Sequence, residues 1–166
     1  MSDVTLQPLS RGLAAACAVV GIVVPILTLV AIFTGRSEWF SGGTGSGAEI
    51  AALVVSLVPL LLFLWTLDRM RRLFESYAVG AILTARAAEQ IVDIGKGFFA
   101  LALAPLVVKP VVSVLASLGN APGERELVIS LHSDTLFFAL VSGLLIVIGW
   151  AMRQAAEIAE DNRAIV

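Results

Sequence analysis

Four stretches of the chain carry almost no polar side chains: Gly12 to Gly35, Ile50 to Leu67, Gly97 to Leu118 and Thr135 to Met152. The first, second and fourth hold no charged residue, and Lys109 alone interrupts the third. At a rise of about 1.5 Å per residue, roughly 20 apolar residues cross the hydrocarbon of a bilayer as a helix. An unpaired backbone N–H or C=O in lipid costs several kcal/mol, so runs of this length are helices rather than open strands. The pattern predicts an all-α membrane fold, one domain over residues 1–166 with four transmembrane helices.

The segments between the spans carry a second pattern. Met70, Leu73, Phe74 and Tyr77 fall at i, i+3, i+4 and i+7, with Arg69, Arg71, Arg72 and Glu75 on other faces, so the second span runs on as an amphipathic helix. Gly80 suits a left-handed helix stop, and Thr84 suits the N-cap of a helix whose Ala88, Ile91 and Val92 pack back on the first arm. Residues 68–96 are therefore expected as a helical hairpin. After Met152 the stripe Ala151, Ala155, Ile158, Asn162 and Ile165 predicts a tail helix over 153–166. The loop after the first span is rich in glycine and reads as a flexible connector. In the third loop, Leu127, Ile129 and Leu131 alternate with Val128, Ser130 and His132, which predicts a short extended segment over the outer helix ends.

Composition and charge add orientation. Of 166 residues, 58% are hydrophobic and 14% charged, well below the ~25% charged of a soluble domain. A net charge of −2 provides no basic field, so direct nucleic-acid binding is not expected. The cations are unevenly distributed: Arg11, Arg69, Arg71, Arg72, Arg86, Lys96, Arg153 and Arg163 fall on one side of the four spans, Arg36 and Arg125 on the other. The positive-inside rule then puts both termini and the hairpin in the cytoplasm of a multi-pass protein. Trp39, Trp65 and Trp150 fall near span ends, where an indole ring lies in acyl chains with its N–H toward water. Cys17 is the only cysteine, so no internal disulfide and no cysteine-built zinc site can form.

Few residues invite chemistry. Lys109 is an intramembrane charge, with Glu49 and Asp134 at outer span ends as its candidate partners. Snorkelling to the interface is its first reading, and an ion, proton or anionic-lipid site the second. Pro25, Pro59 and Pro105 lie in three spans and predict kinks first and moving parts second. Cys17 with Gly21, Ala100 with Ala104, and Ala139 with Gly143 are small pairs at i, i+4 that would let helices approach closely. Ser56, Ser113, Ser117 and Ser142 can bond to carbonyls one turn back. His132 has no ligand-spaced partner, so neither a metal nor another cofactor is expected. No nucleophile, base and orienter can be named as a catalytic set, so no enzyme is expected.

Arg72-Leu73-Phe74 with Tyr77 and Gly80, Ile94-Gly95 before the third span, and the tail from Met152 to Asn162 resemble the DUF2975 family of bacterial four-span membrane proteins. The resemblance covers most of the chain. It implies no settled activity, but it implies association with small helix-turn-helix regulators. The leading expectation is a non-enzymatic membrane sensor or regulator that binds such a cytosolic partner through Leu73, Phe74, Tyr77 and Ile158 and contacts membrane lipid. The alternative is a small transporter or channel subunit that uses Lys109, and four spans would then require a homo-oligomer.

Overall fold

The computed structural model describes residues 3–39, 47–82, 84–117 and 133–164, and among them the chain forms five helices. These are α1 (Asp3–Trp39), α2 (Gly47–Ser56), α3 (Val58–Ala78), α4 (Ala85–Ser117) and α5 (Ser133–Ala164). Four stretches of the described residues are long and apolar enough to cross a membrane, the second supplied by α2 and α3 together. The chain is an all-α integral membrane protein with four transmembrane helices. No strand occurs among the described residues, and the expected extended segment near Leu127 to His132 lies outside them.

The apolar run from Ile50 to Leu67 predicts one unbroken helix, yet the structure divides it at Leu57. Pro59 is the cause, because it offers no N–H to the Val55 carbonyl and its ring crowds that oxygen. The Leu57 N–H bonds instead to the Val54 carbonyl at 3.2 Å, and the α pattern resumes when the Leu61 N–H reaches the Leu57 carbonyl at 3.0 Å. Pro25, Pro105 and Pro110 lie inside α1 and α4 without ending them. Ser56 and Ser142 donate to the carbonyls of Ala52 and Ala139, each at 2.8 Å, so neither hydroxyl is left unsatisfied in the apolar surroundings.

At one end of the molecule α3 and α4 are joined by a tight hairpin. Gly80 takes φ of 87°, and its N–H and that of Ala81 close back on the Tyr77 and Ser76 carbonyls at 3.0 Å each. This paired closure satisfies the last carbonyls of α3, and its positive φ favours glycine. Thr84 begins the next helix by accepting the Ala87 N–H at 3.2 Å on its hydroxyl. From there α4 runs without a break through the membrane.

Among the described helices α1 packs only on α3, and α5 only on α4, while α3 and α4 pack on each other and α2 lies mainly against α4. The bundle is therefore an open row, α1 and α5 at its ends, rather than a closed ring. Glycines let the helices come close. A Cβ at Gly97 would collide with the Thr66 side chain, one at Gly95 would lie 2.7 Å from Ile146, and one at Gly149 would lie 2.6 Å from Val92. Of the first span's most apolar window only 6% is buried within the chain, and 11% in each of the others, so this apolar surface has lipid as its natural solvent.

Candidate functional site

Among the described residues, a buried core cluster lies at the hairpin end. Leu73 of α3 and Ala87, Ile91 and Ile94 of α4 form a buried cluster, with Met70, Tyr77, Phe98, Leu145 and Met152 packed against it. The spacing that predicted an amphipathic α3 thus serves an intramolecular core, joined by α5 through Met152 and the buried Ala156. That α5 face differs from the stripe the sequence singles out. Ala151 and Ala155 are exposed, and Ile158 is 56% exposed. Of the residues expected to meet a partner, Leu73 is buried, Tyr77 packs on the core, Phe74 is half-buried outside that cluster and Ile158 is the most exposed.

Charges collar this core. Asp93 of α4 lies 3.7 Å from both Arg69 of α3 and Lys96 of its own helix. Both distances exceed a hydrogen bond, so one carboxylate is shared between two cations that keep donors for other acceptors. The Arg69 guanidinium lies over the Trp65 ring, 5.2 Å from its centroid, within the ~6 Å reach of a cation–π contact. Arg72 pairs with Asp68 and Arg71 with Glu75, each at 2.8 Å, and Arg153 pairs with Glu157 at 3.1 Å. These three pairs are about half exposed and contribute at most ~1 kcal/mol each. Arg69 Nε and Gln90 Oε1 are buried with no hydrogen-bond partner among the described atoms.

Below this collar a groove of about 570 Å³ opens between α3 and α4, lined by Val58, Leu61, Leu62, Trp65, Lys96, Gly97 and Ala100. Its floor is apolar, and Lys96 is the only charged residue in the lining. The groove was not legible in the sequence, since Trp65 and Lys96 lie on helices whose facing is set only when Gly97 meets Thr66.

The same close contacts fix the heights of the helices. A Cβ at Gly21 of α1 would lie 3.3 Å from the side chain of Leu67, the last apolar residue before Asp68 and Arg69, so the two helices pack at this level. The uncharged run of α1 begins at Gly12, about nine residues or roughly 14 Å further toward the hairpin end. There Leu13 and Val19 are exposed beside the charged turns of α3. On the other flank Gly149 sits against Ala88 and Val92, so the exposed Trp150 stands about one turn beyond Asp93. The outer helices keep their apolar band past the level at which the central helices have turned polar.

Lys109 is exposed on α4, between Pro105 and Pro110. The main chains of Glu49 and Asp134 lie in the first turns of α2 and α5, but their side chains lie outside the described ones, as does His132 altogether. Among the described residues no group of three or more His, Cys, Asp or Glu side chains is placed to hold a metal ion. Of the small pairs, Gly21 makes its contact and Ala104 is buried, whereas a Cβ at Gly143 would meet nothing within 4 Å. No protein-family model, curated protein or solved structure matches this chain.

Proposed function

We propose that the chain is a non-enzymatic regulator of the bacterial inner membrane, with both termini and the hairpin in the cytoplasm, where the tail of α5 binds a cytosolic protein partner. The observation that carries this reading is the uncovered stripe of Ala151, Ala155 and Ile158 on a helix whose neighbouring face, roughly 110° round the axis, is anchored in the core through Met152 and Ala156. A rigid helix with one apolar face free is a recurrent form of protein recognition. The excess of cations at the hairpin end supports the orientation, and the resemblance of the Arg72 to Gly80 segment and the tail to DUF2975 agrees with a small helix-turn-helix regulator as the partner class.

Ile158→Asp tests the reading without disturbing the core, which Leu73→Asp would not allow. With a photo-crosslinking side chain at Ala155 in intact cells, the parent is expected to capture a discrete cytosolic protein, and Ile158→Asp to reduce that capture at least tenfold at unchanged membrane level. Equal capture by both would sink the partner reading. Lys109→Leu in the same cells is expected to leave membrane level and capture unchanged. A well-inserted Lys109→Leu chain that loses its cellular effect would instead favour the transporter or channel reading.

A further inference from the structure

We propose that the groove between α3 and α4 is a binding site for one anionic phospholipid, its acyl chain along Val58, Leu61, Leu62 and Ala100 and its phosphate at Lys96 and Arg69. The groove is shallow and open along its length, and its apolar floor suits a hydrocarbon chain lying against it. It faces outward: Val58 is 43%, Leu61 63% and Trp65 40% exposed. In a membrane its occupant is therefore drawn from lipid.

Charge decides which lipid. Two cations meet at the mouth against one carboxylate, Asp93, and the separate Asp68–Arg72 pair above them is neutral as a pair. The Lys96 side chain is 62% exposed, and at 3.7 Å from Asp93 its ammonium has donors to spare for a phosphate oxygen. Trp65, at the top of the groove beneath Arg69, supplies the amphipathic ring that suits the boundary between acyl chain and headgroup.

The stagger of the helices gives an independent reason. From about Leu67 toward the hairpin end the apolar flanks of α1 and α5 call for acyl chains beside them, whereas Arg69, Asp93 and Lys96 at the same level call for a polar medium. A headgroup drawn down the α3–α4 face satisfies both, with the bilayer locally thinned there. The net positive charge at the mouth selects an anionic headgroup over a zwitterionic one.

The test uses the full chain in vesicles, with Trp39→Phe and Trp150→Phe leaving Trp65 as the single fluorophore. Brominated phosphatidylglycerol is expected to quench Trp65 at about a fivefold lower mole fraction than brominated phosphatidylcholine, the preference one interfacial cation supplies. Lys96→Gln is expected to abolish the difference, and Ala100→Phe, which fills the groove, to weaken quenching by both lipids, each at unchanged helix content. Inorganic phosphate in solution is expected not to compete. Equal quenching by the two lipids in the parent overturns the proposal, as does a preference that survives Lys96→Gln. Quenching that falls as protein density in the vesicle rises would show a second copy over the groove, and would overturn it too.

Discussion

A few small side chains decide how close the helices come. Gly97 has no room for a Cβ beside Thr66, whose own hydroxyl is committed to the Leu62 carbonyl at 2.8 Å. Gly97→Leu is therefore expected to destabilise the chain by about 1–3 kcal/mol through overpacking, read as an earlier unfolding midpoint in detergent. Gly143, where an added Cβ would meet nothing within 4 Å, provides the contrast. Gly143→Ala is expected to be neutral or to stabilise by up to ~1 kcal/mol through helix propensity. Equal losses at the two positions would contradict the packing described. The sequence drew attention to small pairs at i, i+4, and that search found Gly21 but passed over Gly95, Gly97 and Gly149. Each of these faces a different neighbour, and no spacing rule within one helix marks them.

At the scale of the element, the hairpin joining α3 and α4 rests on two local devices, Gly80 and Thr84. Thr84→Ala removes the hydroxyl that accepts the Ala87 N–H and is expected to cost about 1 kcal/mol. Gly80→Ala forces a Cβ into positive φ and is expected to cost roughly 1–2 kcal/mol. Hydrogen exchange should show faster opening of the amides from Ser76 to Ala88 in both variants, with the membrane-buried amides of α5 unchanged. Uniform acceleration along all helices would mean that the hairpin is not a local unit. Both devices were legible in the sequence because capping is short-range chemistry. The break at Leu57 was less so: Pro59 signals a weakened ladder, but Pro25, Pro105 and Pro110 carry the same signal and their helices continue.

For the whole molecule, an open row of four spans has two end helices, α1 and α5, that meet only one neighbour each among the described helices. Their remaining apolar surface, including Ile22, Leu27, Leu140 and Leu144, each more than half exposed, is solvated by lipid. Orientation is expected to follow the cations. In a Cys17→Ser background, Ser2→Cys should be shielded from an impermeant thiol reagent in intact cells, while Ser46→Cys should react. Labelling of Ser2→Cys from outside would reverse the proposed topology and place the hairpin, the α5 tail and the lipid groove on the other face of the membrane.

Span number, the helix caps and the amphipathic course of α3 follow from the sequence alone, because hydrocarbon thickness, backbone hydrogen bonding and capping act over one helix at a time. Only the tertiary structure decided which face of α5 enters the core, as Met152 and Ala156 rather than Ala155 and Ile158. It also decided that Leu73 is enclosed, that Arg69 and Lys96 share Asp93, and that the outer helices stand higher than the inner pair. Each of these depends on the relative height and rotation of two helices, and those are set where side chains interlock across an interface, as Gly97 does with Thr66 and Gly149 with Val92.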